Sequence, residues 1–139
     1  MIEKIKHEDD LLAIIIRKDF HKDGISFITP DEFTLQLGFM SHPANHKIKP
    51  HMHQPVKRET IGTQEVLIIQ KGMLKIDFYS FSKEHIKSVE VSAGDVVLLI
   101  SAGHGMKVLE PVTMIEVKNG PFWPETDKEK FEGREDDTC

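Results

Sequence analysis

The strongest constraint on the fold is punctuation. Along most of the chain, apolar runs too short for a helix alternate with turn formers. Residues 96–100 are Val-Val-Leu-Leu-Ile, set between Ala93-Gly94-Asp95 and Ser101-Ala102-Gly103-His104-Gly105. A short apolar run bounded by glycine reads as a buried strand. Residues 65–70 read the same way. Lys71-Gly72 then breaks the run, and residues 73–79 resume it with Leu74, Ile76 and Phe78 on one face, which predicts a hairpin. Phe33, Leu35, Leu37 and Phe39 alternate with Thr34, Gln36 and Gly38. That period of two predicts a strand with one buried face, ended by Pro43. Residues 11–16, 88–91, 106–109 and 113–118 supply further strands, the last two separated by Pro111. Many short strands without a long amphipathic helix predict an all-β sandwich, barrel or jelly roll and disfavour a βαβ architecture.

At 139 residues the chain has the length of one domain and can bury its own core. Residues 1–122 read as that domain. From 123 to 139 the composition turns acidic, and Phe131 is the one large apolar residue after position 124. This stretch reads as a solvated acidic C-terminal tail with at most a short helix near 128–132. No apolar run approaches the length of a membrane-spanning helix. The first ten residues lack the apolar centre of a secretory signal, and the single cysteine, Cys139, precludes an intrachain disulfide. The expectation is a cytoplasmic protein with no membrane partner. Eighteen basic residues against 23 acidic ones give a net charge of −5, and the densest basic stretch is Lys57-Arg58. Nucleic acid is therefore not an expected partner.

Eight histidines are the unusual entry in the composition. His7, His21 and His85 sit among charges and read as surface residues. His51-Met52-His53 differs. On a strand, residues two apart share a face, so this pair would present two imidazoles side by side. Glu65 opens the next strand on the face of Leu67 and Ile69, where a carboxylate is costly to bury unless paired or bound to a metal. His104 lies in a glycine-flanked loop after an apolar strand. His51, His53, Glu65 and His104 are thus a candidate set of metal ligands. Glu116 and Lys118 share a face of the last strand, as a solvated ion pair or as pocket lining. There is no Gly-x-Ser-x-Gly, P-loop, Gly-x-Gly-x-x-Gly or Cys-x-x-Cys motif.

These residues resemble the cupin superfamily. Its first motif runs Gly, five residues, His-x-His, three or four residues, Glu, six residues, Gly. Here His51-Met52-His53 is followed by Glu65 and, after six residues, Gly72. Its second motif places a glycine, an apolar stretch and a histidine, as do Gly94-Asp95-Val96-Val97-Leu98-Leu99-Ile100 and His104. The differences are definite. Asn45 replaces the first glycine, eleven residues separate His53 from Glu65, Ile100 stands for a proline, His104 comes one residue early, and the closing asparagine is absent. The resemblance spans residues 33–118 and implies a jelly-roll β-barrel. Gly62-Thr63-Gln64-Glu65-Val66-Leu67, the glycine-flanked His104 and Lys118-Asn119-Gly120-Pro121-Phe122 resemble small single-domain cupins among surface-polysaccharide biosynthesis proteins.

The resemblance implies a divalent metal ion, Zn, Fe, Mn, Ni or Co, held by the four candidates with positions open to substrate oxygens. Such an ion acts as a Lewis acid. On a carbohydrate or nucleotide sugar, that means isomerisation or epimerisation beside a carbonyl. The enlarged loop before Glu65 would bring Arg58 and Gln64 to the substrate, with Lys118 from the last strand. Two other functions fit the same barrel. One is a metal-free isomerase or epimerase with His51 or His104 as base; the other is a sugar-binding module without turnover. A homodimer is also expected, built on exposed edge strands such as residues 11–16.

Overall fold

The computed structural model describes residues 1–134. Cys139 and the end of the acidic tail, residues 135–139, lie outside the described residues. Eight strands form: β1 (Ile2–His7), β2 (Asp10–Ile16), β3 (Gly24–Phe27), β4 (Gly38–Ser41), β5 (Glu65–Tyr79), β6 (His85–Ser92), β7 (Val96–Leu99) and β8 (Gly103–Lys118). Among the described residues there is no helix, so none is long and apolar enough to cross a membrane.

Six strands make one strongly curled antiparallel sheet, half a barrel in shape, and β3 pairs with β4 apart from it. β5 organises the sheet. Its first part, Glu65 to Ile68, pairs with β7, and its second part, Met73 to Tyr79, pairs with β6. Along nearly its whole length the other edge pairs with β8. β7 continues to β2, and β2 to β1.

The strand reading at residues 65–79 needs one correction. Lys71-Gly72 does not turn a hairpin; β5 runs straight through it with an irregularity in register against β8. Gly72 adopts φ of 85°, and a Cβ there would lie 2.0 Å from the Pro111 carbonyl oxygen. The break in the apolar pattern is a bulge at which two strands close up, and only glycine fits. For the same reason Pro111 does not separate two strands. It sits inside β8, opposite the bulge, where a missing donor is tolerated.

Residues 33–39 are also corrected. Only Gly38–Ser41 is a strand. Gln36 donates from its amide nitrogen to the carbonyls of Pro30, Asp31 and Phe33, and this folds the segment into a tight loop. Phe33, Leu35 and Leu37 still find apolar neighbours, packing with Ile14, Val66 and Leu98 on the convex side. The alternation reported burial, and side-chain hydrogen bonds decided the backbone.

The main core fills the concave side: Ile5, Leu12, Ile15, Leu67, Ile69, Leu74, Ile76, Phe78, Val89, Val91 and Val97. A buried carboxylate ties the strand ends together. Asp95 accepts from the backbone amides of Lys18 and Ser92, both at 2.9 Å, and from the Arg17 guanidinium at 3.2 Å. Arg17 in turn pairs with Glu3 on β1. The run at residues 11–16 forms β2, buried between β1 and β7, so it offers no edge for association.

Candidate functional site

The register of β5 against β8 builds the site. Opposed residues of an antiparallel pair share a face. Lys118 faces Glu65, Glu116 faces Leu67, Met106 faces Ile76 and His104 faces Phe78. Leu67, Ile76 and Phe78 belong to the concave core, so Glu65, His104, Glu116 and Lys118 all stand on the concave side. They line a cleft of about 990 Å³ together with Gln64, Phe81, Leu99, Ile100 and Met106. His104 therefore lies in β8 rather than in a loop.

Glu65 is 8% exposed. Its Oε2 lies 3.6 Å from Nε2 of His104, close enough to feel charge but long for a hydrogen bond. Burial holds the Glu65 carboxyl above its usual range, and the Glu116 carboxylate beside it adds to the effect by repulsion and by a shared hydrogen bond; Lys118 and Lys128 oppose it. Burial also holds His104 below its usual value, with Lys128 acting in the same direction and Glu116 against it. At neutral pH the imidazole is thus uncharged and free to accept a proton, beside the Glu65 and Glu116 side chains.

The other wall comes from the C-terminal segment. Asp127, Lys128, Glu129, Lys130 and Phe131 line the cleft. This segment is neither a helix nor a detached extension. The Phe131 ring packs edge-on against Tyr79 at 5.2 Å and fills the space over Gly103, where a Cβ would come within 2.9 Å of it. Lys83 bonds Glu129 at 2.7 Å. The backbone amide of Arg134 donates to the Tyr79 hydroxyl at 3.2 Å, and its guanidinium meets Ser88 and His85. Those two residues belong to a network around Asp77, whose carboxylate is fully buried and accepts from the Ser88 hydroxyl. The signal for this wall was a lone Phe131 among charges: an apolar side chain in a polar tail needs a place to bury.

The four candidate ligands fall into two pairs. Glu65 and His104 meet in the cleft. His51 and His53 lie in the irregular segment before β5, exposed, and do not line the cleft. They are not on a strand, yet their rings remain 5.3 Å apart, and His51 Nδ1 contacts the Lys49 carbonyl oxygen at 2.8 Å. Among the described residues, no three His, Cys, Asp or Glu gather as a set able to hold a metal. The four residues do not fit a single metal centre in this conformation.

Of the other candidates, Arg58 is exposed and away from the cleft. Gln64 lines it but also braces the fold. Its Oε1 accepts from the Leu35 backbone amide at 3.0 Å, and its backbone amide donates to Asn119 Oδ1 at 2.8 Å. Lys118 lines the cleft with its Nζ 4.5 Å from the centre of the Phe122 ring. His42 and His46, upstream in the same irregular segment as His51, stack face to face at 4.2 Å, outside the cleft.

No family profile, curated protein or solved structure matches this chain.

Proposed function

We propose that the cleft binds a small oxygenated molecule of the carbohydrate or nucleotide-sugar class and moves a proton on it, as an isomerase or epimerase does, with His104 as the base. The observation that carries this reading is the 3.6 Å approach of His104 to buried Glu65 in a cleft that also holds Lys118. Neutral His104 takes the proton from a carbon beside a carbonyl. The C–H bond pair moves into the carbonyl, and the oxygen gains charge opposite the Lys118 ammonium. The imidazolium is stabilised by the Glu65–Glu116 pair. Returning the proton to the other face of the same carbon, after the planar intermediate turns over in the cleft, gives the epimer; delivery to the neighbouring carbon, with the hydroxyl proton passing to the former carbonyl oxygen, gives the isomer. Either return restores neutral His104.

The test is proton exchange in deuterated water across a panel of aldoses, ketoses and nucleotide sugars, followed by NMR. Support consists of deuterium entering one substrate, loss of that exchange in His104→Gln, and no effect of a chelator. Saturable binding without exchange would instead identify a sugar-binding module.

A second reading rests on the proximity of His51 and His53. Two imidazoles with ring centres 5.3 Å apart, one contacting a backbone carbonyl, are a partial donor set for a divalent cation. Metal content of the purified protein, compared with that of the His51→Ala/His53→Ala variant, tests it. Exchange that disappears on chelation and returns with metal would favour this reading over the first.

A further inference from the structure

Among the described residues, three strands of the six-stranded sheet have an edge without a neighbouring strand: β1, β6 and β8. Two are guarded. β1 exposes Lys4 and Lys6 and buries Ile5; β6 exposes Lys87 and Glu90 and buries Val89 and Val91. Charge on the outward positions is how natural edges avoid pairing.

β8 is different. On its concave face Met106, Val108 and Met114 are 36%, 56% and 37% exposed. On its convex face Ile115 and Val117, opposite Ile68 and Val66, are almost half exposed. β8 carries Lys107, Glu110, Glu116 and Lys118 as well, but uncovered apolar side chains on both faces are the pattern of a strand inside a sheet covered on both sides. Pro111 does not guard the edge, because its carbonyl is turned toward Gly72 on β5.

We infer that β8 is the dimer interface and that its open edge pairs, antiparallel, with β8 of a second copy of this chain about a twofold axis. Three observations select a second copy over another partner. An antiparallel edge is complementary to itself, so the pairing closes with no other component. β8 carries Lys107 and Lys118 against Glu110 and Glu116, so two copies meet without net repulsion although each chain is at −5. Its uncovered side chains present on the order of 400 Å² of apolar surface, about half of what each partner buries in a standard interface, and a long backbone edge supplies more. The pairing also bears on the cleft. His104, Met106, Glu116 and Lys118 are all β8 residues, so the partner strand would lie along the side of the cleft that β8 leaves open. The inference does not depend on the chemistry proposed for that cleft.

Sedimentation equilibrium and amide hydrogen exchange test it on the full chain. The expected result is a dimer at about 100 μM with β8 amides protected, and faster exchange of those amides on dilution. Val108→Lys, on one face, and Ile115→Lys, on the other, should each weaken the dimer at least tenfold, by about 1.4 kcal/mol, while keeping the far-ultraviolet spectrum. A single-chain mass throughout that range overturns the inference. So does a dimer unaffected by both substitutions, or an open-ended series of larger species. If a lysine variant fails to fold, the concentration dependence of β8 exchange in the unaltered protein decides the matter, since exchange independent of concentration is incompatible with the pairing.

Discussion

The rings of Tyr79 and Phe131 meet edge to face, with centroids 5.2 Å apart and planes at 88°. Tyr79 ends β5, and Phe131 lies in the C-terminal segment. This contact, with the Lys83–Glu129 ion pair, holds residues 127–131 against the cleft. Edge-to-face geometry suits the charge distribution of aromatic rings, and such a pair contributes about 1 kcal/mol beyond its buried area.

Phe131→Ala should therefore loosen the wall without unfolding the sheet. We expect a global stability loss of about 1 kcal/mol in urea titration and faster proteolytic cleavage after residue 122. In an assay of the proposed reaction, KM should rise more than kcat falls. A segment no more susceptible to protease than in the unaltered protein would show that Phe131 is not its anchor.

His104→Gln removes the proposed base while keeping a polar side chain of similar reach. The exchange rate of a competent substrate should drop by roughly 10²–10⁴, the usual contribution of a positioned general base. Glu65→Gln should act more mildly, because the imidazole remains. Equal losses from the two variants would mean that the carboxylate, rather than the imidazole, touches substrate.

The raised Glu65 carboxyl gives a signed pH dependence. Below its usual value near 4.5, Glu65 is protonated in folded and unfolded chains alike and carries no penalty. As pH rises past 4.5 the unfolded chain releases its proton first, and folding loses stability until the folded group ionises too. Glu65→Gln should thus gain on the unaltered protein between pH 4.5 and the higher folded value, then keep a constant margin. His104 works the other way. Its penalty is absent above the usual 6.5 and grows as pH falls below it, so His104→Gln should gain on the acid side of that value. Urea titrations from pH 4 to 8 read both slopes; a flat difference for Glu65→Gln would contradict the burial of its carboxyl.

Two glycines with nearly the same backbone angle separate conformation from crowding. Gly24 and Gly72 have φ of 81° and 85°. A Cβ on Gly24 meets nothing within 4 Å, whereas on Gly72 it collides with the Pro111 carbonyl. Gly24→Ala should cost about 1–2 kcal/mol from the left-handed conformation alone. Gly72→Ala should exceed 4 kcal/mol or prevent folding. Similar midpoints in urea for the two variants would rule out the close approach of β5 and β8.

The all-β class was legible because apolar runs and turn residues are local signals. Residues 96–100 and 11–16 became β7 and β2 within a residue at either end. Lys71-Gly72 and Pro111 misled for one shared reason. Each breaks a local pattern, and only their juxtaposition across two strands turns two breaks into one bulge. Glu65 was readable as a buried carboxylate since it shares a face with Leu67 and Ile69, and Glu116 and Lys118 were readable as a same-face pair. Their meeting depends on the β5–β8 register, which spans about fifty residues of chain and leaves no local trace. The covering role of residues 127–131 was hidden by composition, because four charges outweigh one phenylalanine in any average.

β2 takes its second neighbour from β7, and everything from residue 17 to residue 95 lies between them. On the ribosome, the hairpin of β1 and β2 emerges early and then waits, with Ala13, Ile14 and Ile15 uncovered, until most of the chain has been made. Pairings this remote form slowly and leave sticky intermediates. Yield in a cell should accordingly respond to translation speed and chaperone supply more than to the stability of the finished molecule.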